Sequence, residues 1–150
     1  GKTMDEVAAW LEENKSRSQA FFTVDDLTYL RRGGRISAVA ATVGTMVDLK
    51  PIITEGKNGK LLSTDKVRGR KQALRTLAEL AAQNIDDPAE AEMYVLHADA
   101  PEDADRLVQL LREKIPGLGN ISTRYVGPVI GAHCGPGTVA VCFFGKERPY

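Results

Sequence analysis

A chain of 150 residues, 43% of them hydrophobic, fills one domain with a sizeable core and leaves no room for a second full one. Twenty basic residues balance twenty acidic ones, which excludes a global field that draws in nucleic acid or an anionic membrane and makes any anion site local. Two cysteines, Cys134 and Cys142, exclude a disulfide framework, and with no transmembrane run and no visible signal peptide the chain reads as soluble and cytoplasmic.

The chain opens at Gly1-Lys2-Thr3 without an initiator methionine, as expected of a processed or excerpted piece. Thr3-Met4-Asp5-Glu6 has the spacing of a capping box, and Met4, Val7, Ala8 and Leu11 follow at helical spacing to about Lys15, with Trp10 at the edge of the stripe as a packing residue. Phe21 to Val24 is short, apolar and β-rich, which predicts a buried strand. Asp25 and Asp26 then offer a cap to a short helix that buries Leu27 and Leu30 on one face and carries Arg31 and Arg32 at its C-terminal end. Gly33-Gly34 lets the backbone turn with φ > 0, stops the helix and aims Arg35 away from it. Ile36 and Ser37 open the next apolar run, and Ala38 to Met46 is a helical run of small residues.

Leu49 to Thr54 and Lys60 to Thr64 flank a glycine-containing loop and predict a β-hairpin, with Pro51 at an edge or at a strand start. An amphipathic helix over Val67 to Asn84 carries Ala73, Leu74, Leu77, Leu80 and Ala81 on its buried face. Met93 to Leu96 is a short buried strand, with Asp99 available to cap the next helix. That helix begins at Pro101-Glu102-Asp103, buries Ala104, Leu107, Val108 and Leu111, and ends at Pro116-Gly117. Ile121 to Val126 and Thr138 to Phe144 are the last strands, separated by a loop dense in glycine and proline. The sum is an α/β domain of two layers, a mixed sheet of about six strands with helices packed on it.

Three groups of residues carry chemistry. Arg35 lies near the N-terminus of the following run, where free N–H groups favour an anion, although complementing a helix C-terminus is the plain alternative. Lys66-Val67-Arg68-Gly69-Arg70-Lys71, with Arg75 a turn beyond, is read at the start of a helix, where the macrodipole disfavours cations; an anionic partner explains it better than helix stability does, with a solvated charged face as the plain alternative. No aromatics interleave with these cations, which counts against nucleic acid. His133, among glycines in the 127–137 loop, can bind an anion or shuttle a proton, a solvated loop histidine being the plain alternative. No metal-ligand spacing and no Gly-Lys-Ser/Thr nucleotide loop occurs, and Cys142 reads as a buried strand thiol.

Together, Asp25 through Ser37, the Lys50-Pro51-Ile52 strand, Lys66 through Lys71, and Gly131-Ala132-His133-Cys134-Gly135-Pro136-Gly137 resemble the DegV family of bacterial fatty-acid-binding proteins, in order across essentially the whole chain. The resemblance implies the C-terminal one of two α/β domains, with a long-chain fatty acid held in a closed tunnel between them and no other cofactor. It implies that Arg35, Gly34 and His133 lie near the lipid carboxylate, and that Arg68, with Lys66 and Arg70, docks a fatty-acid kinase that turns the bound acid into acyl phosphate for phospholipid synthesis. The serine and threonine that also bind the carboxylate would come from the N-terminal domain. The expected function is a non-enzymatic lipid carrier, which alone binds fatty acid poorly because half the tunnel wall is missing. The alternatives are an enzyme subunit like those of dihydroxyacetone kinase, using His133, and a protein-docking module.

Overall fold

A computed structural model describes residues 1–35, 37 and 48–150. Ile36 and the helical run expected over Ala38 to Met46 lie outside the described residues. The elements run α1 (Met4–Asn14), a 3-10 turn (Lys15–Arg17), β1 (Ser18–Thr23), α2 (Leu27–Arg32), β2 (Leu49–Glu55), β3 (Leu61–Arg68) and α3 (Arg70–Asn84). They continue with β4 (Glu92–His97), α4 (Pro101–Lys114), β5 (Asn120–Tyr125), α5 (Pro128–Cys134) and β6 (Val139–Phe144).

The six strands form one mixed sheet in the order β3-β2-β1-β6-β4-β5. All neighbours are antiparallel except β4 and β5, which are parallel and joined by the α4 crossover, as a parallel pair requires. The alternating burial of β1 and β4, and the register that pairs β6 with both, sort their side chains by face. Phe21, Met93, Val95, Val139, Val141 and Phe143 point to one face and meet Leu74, Leu77, Leu107 and Leu111 of α3 and α4 in the main core. Leu77, Leu107 and Leu111 are fully buried, each contributing about 1.5–3 kcal/mol of transfer free energy.

The opposite face has no such cover from α3 or α4. It presents Ala20 and Phe22 of β1, Ala140 and Cys142 of β6, and Tyr94 and Leu96 of β4. Register sets these in two rows, Phe22–Ala140–Leu96 and Ala20–Cys142–Tyr94. Only at one end do α2 and α5 lie over this side, where Val24, Leu30, Ile53 and Cys134 form a second small core.

Four local differences from the sequence reading have physical reasons. β3 runs on to Arg68, so Lys66 and Arg68 stand on an edge strand and the helix begins only at Arg70, after Gly69 turns the chain with φ +82°. Pro51 sits inside the hairpin, yet β1 pairs with β2 only at Thr54 and Ile53, so no β1 partner needs the missing N–H. Asp99 does not cap α4; the N–H of Ala100, the N-cap residue, instead donates to His97 Nδ1 at 3.2 Å. The apolar stripe of α1 finds no core: the capping box forms as expected, but Met4, Val7 and Leu11 are exposed, and Trp10 stacks on Phe144 with centroids 5.7 Å apart.

Candidate functional site

The Gly-Gly-Arg turn is built by the end of α2. The N–H of Gly34 donates to Arg31 O at 3.1 Å and the N–H of Arg35 donates to Leu30 O at 2.8 Å, with Gly34 at φ +70°. These are the two bonds of a Schellman motif, which satisfies the last carbonyls of the helix and fixes the direction in which the chain leaves it. The start of α2 is equally defined: Asp26 Oδ1 accepts from Thr28 N at 2.8 Å, and these bonds hold its carboxyl below the usual carboxylate range. Lys50 of β2 donates to Asp25 Oδ1 at 2.6 Å and to Asp25 O at 3.1 Å, which ties the entrance of α2 to the hairpin.

His133 is on a helix, not in a loop: Pro128 at the first position starts α5, which ends at Cys134. This helix packs directly on α2, and glycines make the approach possible. A methyl group at Gly33 would lie 2.2 Å from His133 Nδ1, and one at Gly135 would lie 2.3 Å from the Tyr29 ring. The fold thereby brings His133 against the turn that carries Gly34 and Arg35, about 100 residues away in sequence. Arg35 itself is exposed, and its Nη1 donates to Gly33 O at 2.7 Å.

Two cavities adjoin at this end of the sheet. The first is a polar cleft of about 450 Å³ lined by Gly34, Arg35, Ser37, Gly59, Lys60 and Leu61. The second is a wholly apolar pocket of about 250 Å³ on the open sheet face, with Phe22, Leu61, Leu96, Ile130, Ala140 and Cys142 among its walls. Leu61 belongs to both. A cationic opening and an apolar hollow thus share one side chain as their boundary, which suits a ligand with an anionic head and a hydrocarbon body. His133 lines neither cavity; it meets the turn from α5, whose Ile130 and Cys134 wall the apolar pocket.

The second set of cations divides. Lys66 and Arg68 are exposed on the edge strand β3. Arg70 is held inward: its Nε donates to Asp103 Oδ2 at 2.8 Å and its Nη2 to Gly137 O at 2.6 Å, which ties α3 to α4 and to the segment after α5. Sequence reasoning missed Lys60, Leu61 and the pocket walls. Ala20, Phe22, Ala140 and Cys142 were findable, because strand period 2 puts them on the face opposite the core, whereas nothing local singles out Lys60.

Burial pushes both thiols up, Cys142 to about 11, which leaves neither as a thiolate nucleophile near neutral pH. Among the described residues no three His, Cys, Asp or Glu side chains gather as a metal site, and no helix is long and apolar enough to cross a membrane.

A family model described as "Uncharacterised protein, DegV family" matches residues 1–146. A DegV domain-containing protein of Clostridium perfringens is 42% identical over 148 residues, covering 99% of this chain and 50% of the relative. Among solved structures, a fatty acid binding DegV family protein from Streptococcus agalactiae superposes with a TM-score of 0.82 at 28% identity, over 98% of this chain and 51% of that one. DegV from Bacillus subtilis, described as a fatty acid binding protein, superposes with a TM-score of 0.73 at 32% identity, over 96% of this chain and 50% of that one. The chain spans about half the length of the curated relatives it matches.

Proposed function

The chain belongs to the DegV family, and from that premise we propose that it is one wall of a fatty-acid carrier, the C-terminal domain of a two-domain protein that is not itself an enzyme. The observation that carries this reading is the junction at Leu61, where a cleft bearing Arg35 and Lys60 opens beside a hollow lined only by apolar surface. The solved relatives named above are described as fatty acid binding, and this amphipathic junction is what such a ligand needs. The carboxylate meets Arg35 at the turn shaped by Gly34, with His133 bracing that turn, and the acyl chain lies along the rows of Phe22, Ala140 and Cys142.

Energetics divide the labour. Each buried methylene contributes about 0.8 kcal/mol, and a charge-assisted hydrogen bond roughly 1.5–3 kcal/mol. The chain therefore sets affinity and the head group sets orientation. Because the hollow is open on one side, the isolated chain binds fatty acid weakly, and its N-terminal domain supplies the other wall. Exposed Lys66 and Arg68 on the edge strand form the surface that a cytoplasmic fatty-acid kinase would dock on to make acyl phosphate for phospholipid synthesis; Arg70, just beyond in the chain, turns inward to Asp103 and Gly137 O.

The test is mass spectrometry of the organic extract from a form that spans the full length of the relatives, beside this chain. A stoichiometric fatty acid in the longer form alone supports the reading. Low-micromolar binding by the isolated chain, or no lipid in either form, overturns it. Arg68→Ala separates the two surfaces: kinase coupling is lost while lipid binding persists.

A further inference from the structure

On the other side of the sheet, a cleft of about 400 Å³ runs between α3 and α4. Its apolar lining is Leu74 and Leu110, both buried, and its other lining residues are Lys71, Arg75, Asp103 and Arg106. The one carboxylate among them, Asp103, already accepts from Arg70 Nε at 2.8 Å. Among the described residues no carboxylate lies within ion-pair distance of Lys71 or Arg75, and Arg106 Nη1 donates to Gln109 at 2.9 Å while standing 3.9 Å from Glu113. In a chain of zero net charge the cleft lining carries three cations against one carboxylate, with Lys71 and Arg75 the two that no carboxylate answers among the described residues.

Folding does not call for it. The first turn of α3 contains Arg70 and Lys71, no acid and no side-chain cap, so the cations there oppose the helix dipole. The guanidinium that grips Asp103 also keeps Nη1 buried without a partner. Nothing in the lipid-carrying reading uses Lys71, Arg75 or Arg106.

We propose that this cleft is a binding site for an organic phosphate, a phosphate monoester with a small apolar body. Concavity and volume favour a small molecule over a flat protein surface. Two arginines and a lysine around one opening suit a dianion with three terminal oxygens better than a carboxylate with two, and guanidinium forks match phosphate geometry. Leu74 and Leu110 give the carbon body an apolar surface to lie on. The site is independent of the acyl pocket, because strands β1, β6 and β4 lie between them.

Phenyl phosphate, inorganic phosphate and benzoate titrated into the isotope-labelled chain at constant ionic strength, followed by amide NMR, test this. Phenyl phosphate is expected to shift amides of Lys71 to Arg75 and Asp103 to Leu110 with Kd below about 1 mM, several-fold tighter than either competitor. Arg75→Ala and Arg106→Ala, both at exposed positions, are each expected to weaken it about tenfold. Arg35→Ala is expected to leave it unchanged, so failure here is distinguishable from failure of the lipid reading. Shifts confined to the Arg35 and Lys60 cleft, equal binding of benzoate or inorganic phosphate, or unchanged binding in both α3–α4 variants overturns the proposal.

Discussion

Gly33→Ala tests whether the turn that carries Gly34 and Arg35 is packed by His133. Gly33 has φ −76° and ψ −2°, a backbone that alanine adopts without strain, so the substitution alone should stabilise by about 0.4–1 kcal/mol through the unfolded chain. The new methyl, however, lands 2.2 Å from His133 Nδ1 and 3.1 Å from its Cγ. Pushing the ring away carries an overpacking cost of about 1–3 kcal/mol, which leaves a net loss centred at about 1 kcal/mol and reaching roughly 2.5 kcal/mol. In a His133→Ala background the obstacle is gone and the sign reverses. Equilibrium urea unfolding of the four proteins gives the coupling energy, expected at about 1–3 kcal/mol. With a typical denaturant slope, Gly33→Ala shifts the midpoint down by roughly 0.5–1 M when His133 is present and up when it is absent. If Gly33→Ala has the same sign and size in both backgrounds, the imidazole does not pack on the turn and the assembled site fails with it.

Three other outcomes follow from the same geometry. Arg70→Ala strips Asp103 and Gly137 O of their charged partner and should cost about 1.5–3 kcal/mol in urea unfolding, whereas exposed Arg68→Ala should stay within about 0.5 kcal/mol; equal effects would contradict the division of the two roles. The carboxyl of Asp26 has its pKa depressed chiefly by the Thr28 N–H bond, so its cap stabilises the fold above the ordinary value of 3.8 and that contribution is lost as pH falls through the lower native value. Asp26→Ala should therefore lose about 1 kcal/mol at neutral pH, and little at pH below the native value, in acid titrations followed by circular dichroism. Cys142, pushed up from 9.0 to about 11, favours folding fully below pH 9 and progressively less as pH rises toward 11; at pH 8 its half-buried thiol should react with iodoacetamide more slowly in the native chain than once unfolded, and equal rates would refute the desolvation of the thiol.

Much of the fold was legible because periodicity reports burial directly. Leu74, Leu77, Leu107 and Leu111 announced two helices that pack on a sheet, and the short apolar runs around Phe21, Met93 and Val141 announced its strands. The capping box of α1 and the glycine turn after α2 were equally plain, since each is a local bonding pattern. What escaped was non-local. The contact between Gly33 and His133, the inward pull of Arg70 and the sharing of Leu61 between two cavities all depend on elements distant in sequence meeting in space. The exposure of the α1 stripe escaped for a related reason: amphipathic spacing predicts a face to be covered, not what covers it.

In β6, Val139, Val141 and Phe143 answer to the core, while Ala140 and Cys142 face the hollow. Packing and the shape of the open face are thus written on alternate letters of the same strand. A substitution at Ala140 or Cys142 reshapes the hollow without touching the packing that keeps the strand in place.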